Sequence, residues 1–512
     1  MMQFTQQERS LTALQSFLNT PLASLIKGAT AGIEDAEIEV VRLFQTVAHK
    51  VPAYQAFLQE QGIDPATIQT FTDFQQLPFT TKQTYLQQYP LPQLCYSGKL
   101  EACDMIAVSS GSTGQPSFFP RFIADEFQIA PRFEQIFYDS FRADQRSTLA
   151  VVCFALGTWV GGMYTTACCR HLASKGYPIT VITPGSQKAE IFRVIKALAP
   201  AFDQVVLLGY PPFLKDVVDT GIAEGIAWEQ YHIKLVTAGE VFSEAWRSLV
   251  GSRLGSINPC YDSATLYGTA DAGVLGNETP LSICIRRWLA EHPTAARELF
   301  GESRLPTLVQ YDPFSRFFEV KDGTLLFSGD SGLPLVRYHI ADTGGLISYD
   351  QMLQFLADWG FDPISAIQAD NPSSVSENIR GIYPLPFVYV FGRSYFTVSY
   401  FGANVYPENI SVGLEQAPIC DWVTGKFVMQ VKEEDDRNSV FSIVVELAPN
   451  VTATEDKQQA IAIAILQQLK RLNSEFANYV PEAYQLPNIM LTTTGDPAYF
   501  PPGVKHRYTR PA

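Results

Sequence analysis

What this sequence has little of narrows the field first. No two of its eight cysteines are spaced Cys-x-x-Cys, and only Cys168 and Cys169 adjoin, so neither a zinc motif nor a disulfide framework is visible. Thiols in a reducing cytoplasm are the expectation. Positive charge is scarce: 37 Lys and Arg stand against 52 Asp and Glu. The net charge of -15 argues against a general nucleic-acid or anionic-membrane surface, though not against a local anion site. The opening MMQFTQQERS has no basic region followed by an apolar core, so no secretory leader is expected. Long uncharged runs are few as well. Ser147 to Cys169 is long enough to cross a bilayer, but Gly157, Gly161 and Gly162 interrupt it. A buried strand, a loop and a helix start are expected there instead. Internal repeats and low-complexity segments are missing. A cytoplasmic protein with no membrane and no nucleic-acid partner is the expectation.

What is present suits a large enzyme-sized globule. At 512 residues, with 46% apolar and 17% charged side chains, the chain exceeds one ordinary domain and has ample material for a core. Residues 1–95 are rich in Gln, Leu and Phe and carry helical spacing, with Thr80 or Thr81 as an N-cap before LQQYP. From about 104 to 345, short apolar runs (PITVITPG, QVVLLGYPP, IKLVTAGE, ATLYGTAD) alternate with helical patterns (AEIFRVIKALAPAF, PFLKDVVDTGIAEG). That alternation means α/β architecture, with a parallel or mixed sheet covered by helices. Residues 350–388 are Pro-rich and fit no regular pattern. After about Gly392 two strands, a helix and a last strand follow, which reads as a separate small α+β unit. The division expected is 1–391 and 392–512.

Five stretches carry candidate chemistry. The first is VSSGSTGQPSFFPR, after the strand-like DMIAV. Ser109, Ser110, Gly111, Ser112, Thr113 and Gly114 combine rotatable hydroxyl donors with glycines whose backbone can approach an anion closely. Without a Lys after the glycines it is not a Walker loop, and a plain surface turn is the competing reading. The second is Tyr267-Gly268-Thr269-Ala270-Asp271, in which a ring could stack on a base and a carboxylate four residues on could hold Mg²⁺. A strand-end turn explains it equally. In the third, RYHIADTG, Asp342 could accept both hydroxyls of a ribose or simply start a turn. The fourth is Gly392-Arg393-Ser394, an arginine at the composition change, suited to a nucleotide or to an interdomain salt bridge. The fifth is PGVKHR, where Lys505 on a glycine turn could bring a point charge to a reacting phosphate or sit in a solvated tail.

The five stretches, in this order and at these separations, resemble the adenylate-forming superfamily of acyl-CoA synthetases and adenylation domains. The segment VPAYQAFLQEQGIDPATIQTFTDFQQLPFTTKQTYLQQYP and the segment GRSYFTVSYFGANVYPENI bring the likeness nearer to the phenylacetate–CoA ligase family. The resemblance spans about residues 45 to 512. It implies a large N-terminal adenylate-forming domain with mixed sheets and helices, and a small mobile α+β C-terminal domain. It also implies ATP, Mg²⁺ and coenzyme A: a carboxylic acid gives acyl-AMP and pyrophosphate, and a thiol then takes the acyl group. Carried over by position, Ser109 to Gly114 would hold the β- and γ-phosphates, Tyr267 would lie against adenine and Asp271 would serve Mg²⁺. Gly268 and Thr269 belong to the same nucleotide segment, and Gly239 and Glu240 fall where the family has a GE segment near nucleotide and substrate. Asp342 would bind ribose, Arg393 would contact nucleotide near the hinge, and Lys505 would stabilise charge on the α-phosphate. Trp159, Met163 and Tyr164 would form the acyl wall and suit an aromatic or apolar acid, although ordinary core residues look the same.

Three departures from the pattern stand out. The usual Glu is Asp271, Tyr395 and Phe396 occupy the hinge where acidic residues are common, and GVKHR replaces the usual GK spacing. The hinge substitution keeps a carrier-protein thiol or an amine in view as acceptor. Together with Asp271 it also motivates a nucleotide-binding homologue without turnover.

Overall fold

The structure is a computed structural model that describes residues 6–101, 103–108, 117–158, 160–256, 258–302, 305–370, 380–393, 398–401, 403–433, 439–473, 476–477, 480–501 and 507–510. The entry region is helical, as its spacing predicts. Ile33–Lys50 and Pro52–Glu60 form two helices, because Val51 takes an extended conformation ahead of Pro52, whose ring starts the second helix. Of the two threonine caps, Thr81 is the one used: its hydroxyl accepts the Thr84 amide at 2.9 Å. Thr80 is fully buried and instead ties the entry region to a distant strand, donating to the Val336 carbonyl at 3.1 Å.

The strands in chain order are β1 (Met105–Val108), β2 (Phe118–Arg121), β3 (Thr148–Val152), β4 (Ile179–Ile182), β5 (Gln204–Gly209) and β6 (Ile233–Ala238). Then come β7 (Ser263–Thr269), β8 (Gly273–Asn277), β9 (Thr307–Gln310), β10 (Phe317–Lys321), β11 (Thr324–Gly329), β12 (Leu335–Ile347) and β13 (Phe387–Arg393). The chain closes with β14 (Val398–Tyr400), β15 (Ala403–Val405), β16 (Val423–Glu433), β17 (Ser439–Leu447) and β18 (Asn488–Thr492).

Among the described residues one sheet runs β10-β11-β12-β13-β9-β8-β7-β6-β5-β3-β4. Its two halves differ in kind. From β4 to β7 every pairing is parallel, and β3 and β5 are buried along their whole length, which explains their unbroken apolar sequences. From β7 to β10 every pairing is antiparallel. The end of β7 is therefore a seam between two kinds of sheet. Helices Val160–Ser174 and Ile123–Gln135 cover one face of the parallel half, and Lys188–Leu198 and Pro211–Ala223 cover the other. The uncharged Ser147–Cys169 stretch is strand β3, a loop and the start of a buried helix, and among the described residues no helix is long and apolar enough to cross a membrane.

Two sequence readings differ from what is found. The strand before the Ser/Gly stretch exists, but β1 pairs with β2 in a separate two-stranded hairpin outside the large sheet. Within 350–388, Tyr349–Asp358 and Pro363–Asp370 are helices. Met352, Leu356 and Ile367 sink into a core shared with Phe387 and Leu289, so packing supplies the order that local pattern did not announce.

The C-terminal unit is α+β, as its pattern predicts. β16 and β17 are antiparallel, β18 adds parallel to β17, and helix Glu455–Leu472 lays Ile461, Ile465 and Leu469 on them. It docks on helices Pro211–Ala223 and Glu244–Arg253 of the large body. Lys215 donates to the Val423 carbonyl at 2.7 Å, and Arg253 pairs with Asp421 at 2.7 Å.

Candidate functional site

The seam at the end of β7 brings the second and third motifs together. Gly268 sits so close to the returning strand that a Cβ would lie 2.4 Å from the Gly273 carbonyl oxygen, so no side chain fits there. Thr269 closes the turn by accepting the Ala272 amide on its hydroxyl at 3.1 Å. On the antiparallel side, β12 bulges. Leu326 faces His339 while Thr324 faces Thr343, so residues 340–342 stand against the single Leu325 of β11, with Ala341 at φ +65°. Bulges of this kind re-aim side chains and are common beside binding sites. Here the bulge carries Asp342, whose backbone pairs with Arg393 across β13.

The two motifs interlock through a reciprocal pair. The Tyr267 hydroxyl donates to Asp342 Oδ2 at 2.7 Å, and the Tyr338 hydroxyl donates to Asp271 Oδ2 at 2.5 Å. Each tyrosine stands four residues ahead of an aspartate, and each serves the aspartate of the other strand. Tyr267 and Asp342 are both buried, and the Tyr267 ring stacks on Phe318 at 6.4 Å between centroids. Both carboxylates are thus steadied by hydroxyl donors, which favours defined orientations over free rotation.

A buried arginine fixes the turn from beneath. Arg121, 1% exposed at the end of β2, donates to the Ala270 carbonyl at 2.6 Å and to the Asp271 carbonyl at 2.8 Å, with Ser331 at 3.2 Å. Arg316 reaches the next carbonyl, that of Ala272, at 3.3 Å. Asp125 lies alongside; burial pushes its carboxyl up to about 6, against the pull of Arg121. Because β2 is the strand that follows the Ser/Gly stretch, Arg121 links that hairpin to the seam. Arg121, Arg316 and Tyr338 were not singled out from sequence. The twice-repeated Tyr-x-x-x-Asp spacing was the available signal for Tyr338.

Gly239 leaves β6 with φ +85°, a conformation suited to glycine, and delivers Glu240 to the strand ends next to β7. Glu240 Oε2 accepts the hydroxyl of Tyr508 from the C-terminal unit at 2.6 Å. Of the proposed acyl wall, Tyr164 is buried, with Arg121 6.0 Å from its ring centroid, whereas Met163 is 40% exposed. Ser109 to Gly114, Trp159 and Lys505 lie outside the described residues, and Arg393 is described in its backbone only. Among the described residues there is no cluster of three or more His, Cys, Asp or Glu suited to a metal. A magnesium ion carried on nucleotide phosphates needs only one or two carboxylates, and the carboxyl of Asp271 fits that need.

Comparison with known proteins agrees with this geometry in fold. No family model matches the chain. The chain is 23% identical over 310 residues to a phenylacetate-coenzyme A ligase of Thermus thermophilus, a match covering 60% of this chain and 64% of that protein. It is 23% identical over 340 residues to the phenylacetate-coenzyme A ligase of Escherichia coli, covering 62% and 69%. The matched stretch thus spans just under two thirds of the Thermus protein. Among solved structures, a 2-hydroxyisobutyryl-CoA ligase in the postadenylation state with R3-HIB-AMP superposes with a TM-score of 0.66 at 13% identity, covering 94% of this chain and 90% of that one. The same ligase in the thioesterification state, with 2-HIB-AMP and CoA, superposes with a TM-score of 0.53 at 14% identity and the same coverage.

Proposed function

We propose that this member of the adenylate-forming superfamily is an AMP-forming acid–thiol ligase. The observation that carries the reading is the interlocked seam, where Tyr267 bonds Asp342, 75 residues away, and Tyr338 bonds Asp271. In the first half-reaction a carboxylate oxygen of the acid attacks the α-phosphorus of ATP. The new O–P bond makes acyl-AMP, and the bond to the β-phosphate oxygen breaks to release pyrophosphate. In the second, a thiol sulfur attacks the acyl carbonyl carbon, AMP departs with the C–O bond electrons, and the thiol proton goes to solvent.

In-line attack at phosphorus needs positioning and countercharge more than covalent help. Asp342 would accept the ribose hydroxyls in place of the Tyr267 hydroxyl, releasing that ring to lie against adenine. Asp271 would hold Mg²⁺, which when bound neutralises phosphate charge. Ser109 to Gly114 would donate to the β- and γ-phosphates, Arg393 would contact the nucleotide, and Lys505 would offset charge on the α-phosphate. The acid is aromatic or apolar on this reading, with Trp159, Met163 and Tyr164 at its wall, and the thiol is that of coenzyme A.

Tyr395 and Phe396 favour a second reading, in which the acceptor is a carrier-protein thiol or an amine. Incubating the protein with ATP, Mg²⁺, coenzyme A and a panel of acids tests both. The expected product is AMP with an acyl-CoA thioester from one acid class. AMP and adenylate without thioester would favour the second reading, and ATP binding without turnover of any acid would leave a nucleotide-binding homologue.

A further inference from the structure

The contact between Tyr508 and Glu240 has a place in the reaction that its geometry defines. Glu240 stands on the large body at the end of β6, one strand from the seam, where ligands of open α/β sheets bind. Tyr508 belongs to the C-terminal unit and is fixed there by its own backbone. The Met429 amide donates to the Tyr508 carbonyl at 2.7 Å, Thr509 bridges to Met429 of β16, and the Tyr508 ring packs on Phe427 at 5.1 Å. Residues 508–510 are therefore tied to the small sheet, and the Tyr508 hydroxyl reaches the large body at Glu240. In sequence Tyr508 stands three residues after Lys505.

Among the described residues, the docking surface also has ties made by other parts of the C-terminal unit. Lys215 with the Val423 carbonyl, Arg253 with Asp421, and Ser243 with Glu415 all join other parts of the C-terminal unit to the body. Losing the Tyr508 hydroxyl would leave those contacts standing while uncoupling residues 508–510 from Glu240. Desolvation in the interface, followed by the charge on Glu240, pushes the Tyr508 phenol well above its ordinary range, so it stays a proton donor at working pH.

We infer that Tyr508 is a positioning residue for the adenylation half-reaction: its bond to Glu240 sets the C-terminal tail against the nucleotide end of the large body. The inference rests on the ligase reading above. In keeping with it, the whole chain superposes with a TM-score of 0.66 on the 2-hydroxyisobutyryl-CoA ligase in its postadenylation state and of 0.53 on that ligase in its thioesterification state. It gives Glu240 a docking role.

The test separates the half-reactions in the full-length protein. In Tyr508→Phe, ATP–pyrophosphate exchange should fall about 10- to 100-fold, as for loss of a hydrogen bond to a charged group. Thioester formation from supplied acyl-adenylate and coenzyme A should stay within about twofold of the unmodified protein. Glu240→Gln keeps an acceptor oxygen for the Tyr508 hydroxyl and should lower the exchange less than Glu240→Ala, which should lower it at least as much as Tyr508→Phe does. The double variant Tyr508→Phe with Glu240→Ala should be hardly worse than either alone, since the two remove one interaction. Equal losses in both half-reactions, or full exchange in Tyr508→Phe, would overturn the inference. If the unmodified protein adenylates no acid, the ligase reading fails by itself. The contact is then read by amide hydrogen exchange: faster exchange at 507–510 and 239–241 in Tyr508→Phe supports it, and unchanged rates overturn it.

Discussion

The seam and the docking face hold their partners by opposite means. At the seam, the groups that fix the turn are buried: Arg121 is 1% exposed and is spent on main-chain carbonyls, and two tyrosine–aspartate bonds lock the strands side to side. At the docking face the ties mix exposed and buried groups: Arg253 meets an Asp421 side chain that is 66% exposed, while Lys426 of β16 meets the buried Asp216 at 3.6 Å. Exposed pairs contribute little net stability, about 0–1 kcal/mol each, whereas breaking a buried charge network costs several times that. On the ligase reading proposed above, such a contrast would suit a two-step reaction on one bound intermediate.

The contrast can be broken at its strong side first. Arg121→Met should lower unfolding free energy by about 3–5 kcal/mol, because the carbonyls of Ala270 and Asp271 lose a buried charged donor. Chemical denaturation measures it, and a change below that of a surface substitution would show that the turn holds itself. Asp342→Ala comes next and acts on function. We expect ATP–pyrophosphate exchange to fall about 100-fold if the carboxylate serves ribose, alongside a stability loss of about 1–3 kcal/mol from leaving the buried Tyr267 hydroxyl without its acceptor.

Acidity should sharpen the weak side. Glu415, at the docking face, is pushed up to about 7, chiefly by desolvation and further by Glu244, against the Ser243 hydroxyl and the charges of Arg286 and Lys215. Burial at this face therefore favours the protonated form of Glu415. The contribution of this carboxyl is complete below the ordinary carboxylate range and is lost as pH rises through about 7. Amide exchange across residues 411–425 should thus be slower at mildly acidic than at mildly alkaline pH, after correction for intrinsic rates. Glu415→Gln should flatten that dependence. The smallest effect expected is from Arg253→Ala, at about 1 kcal/mol or less in global unfolding, with local protection lost near Asp421.

Much of this was legible in the chain before any coordinates. The fully buried strands β3 and β5 read as continuous apolar runs, and the C-terminal strands, helix and last strand fell where their periods put them. The motif residues were visible because glycine, hydroxyl and carboxylate groups cluster there against an apolar background. What sequence withheld was partnership across distance. Arg121 lies some 150 residues from the carbonyls it holds, and Tyr338 lies 67 residues from Asp271. Nothing local to either announces the other. Helices Tyr349–Asp358 and Pro363–Asp370 were hidden for a related reason, since their apolar residues make a face only once Leu289 and Phe387 lie opposite.

The central claim is that the seam activates a carboxylic acid on ATP. The most direct measurement is ATP–pyrophosphate exchange with coenzyme A left out, run across aromatic and aliphatic acids with Mg²⁺. The account predicts exchange with one class of acid, lowered about 100-fold by Asp342→Ala. Folded protein that binds ATP yet exchanges with no acid would contradict it.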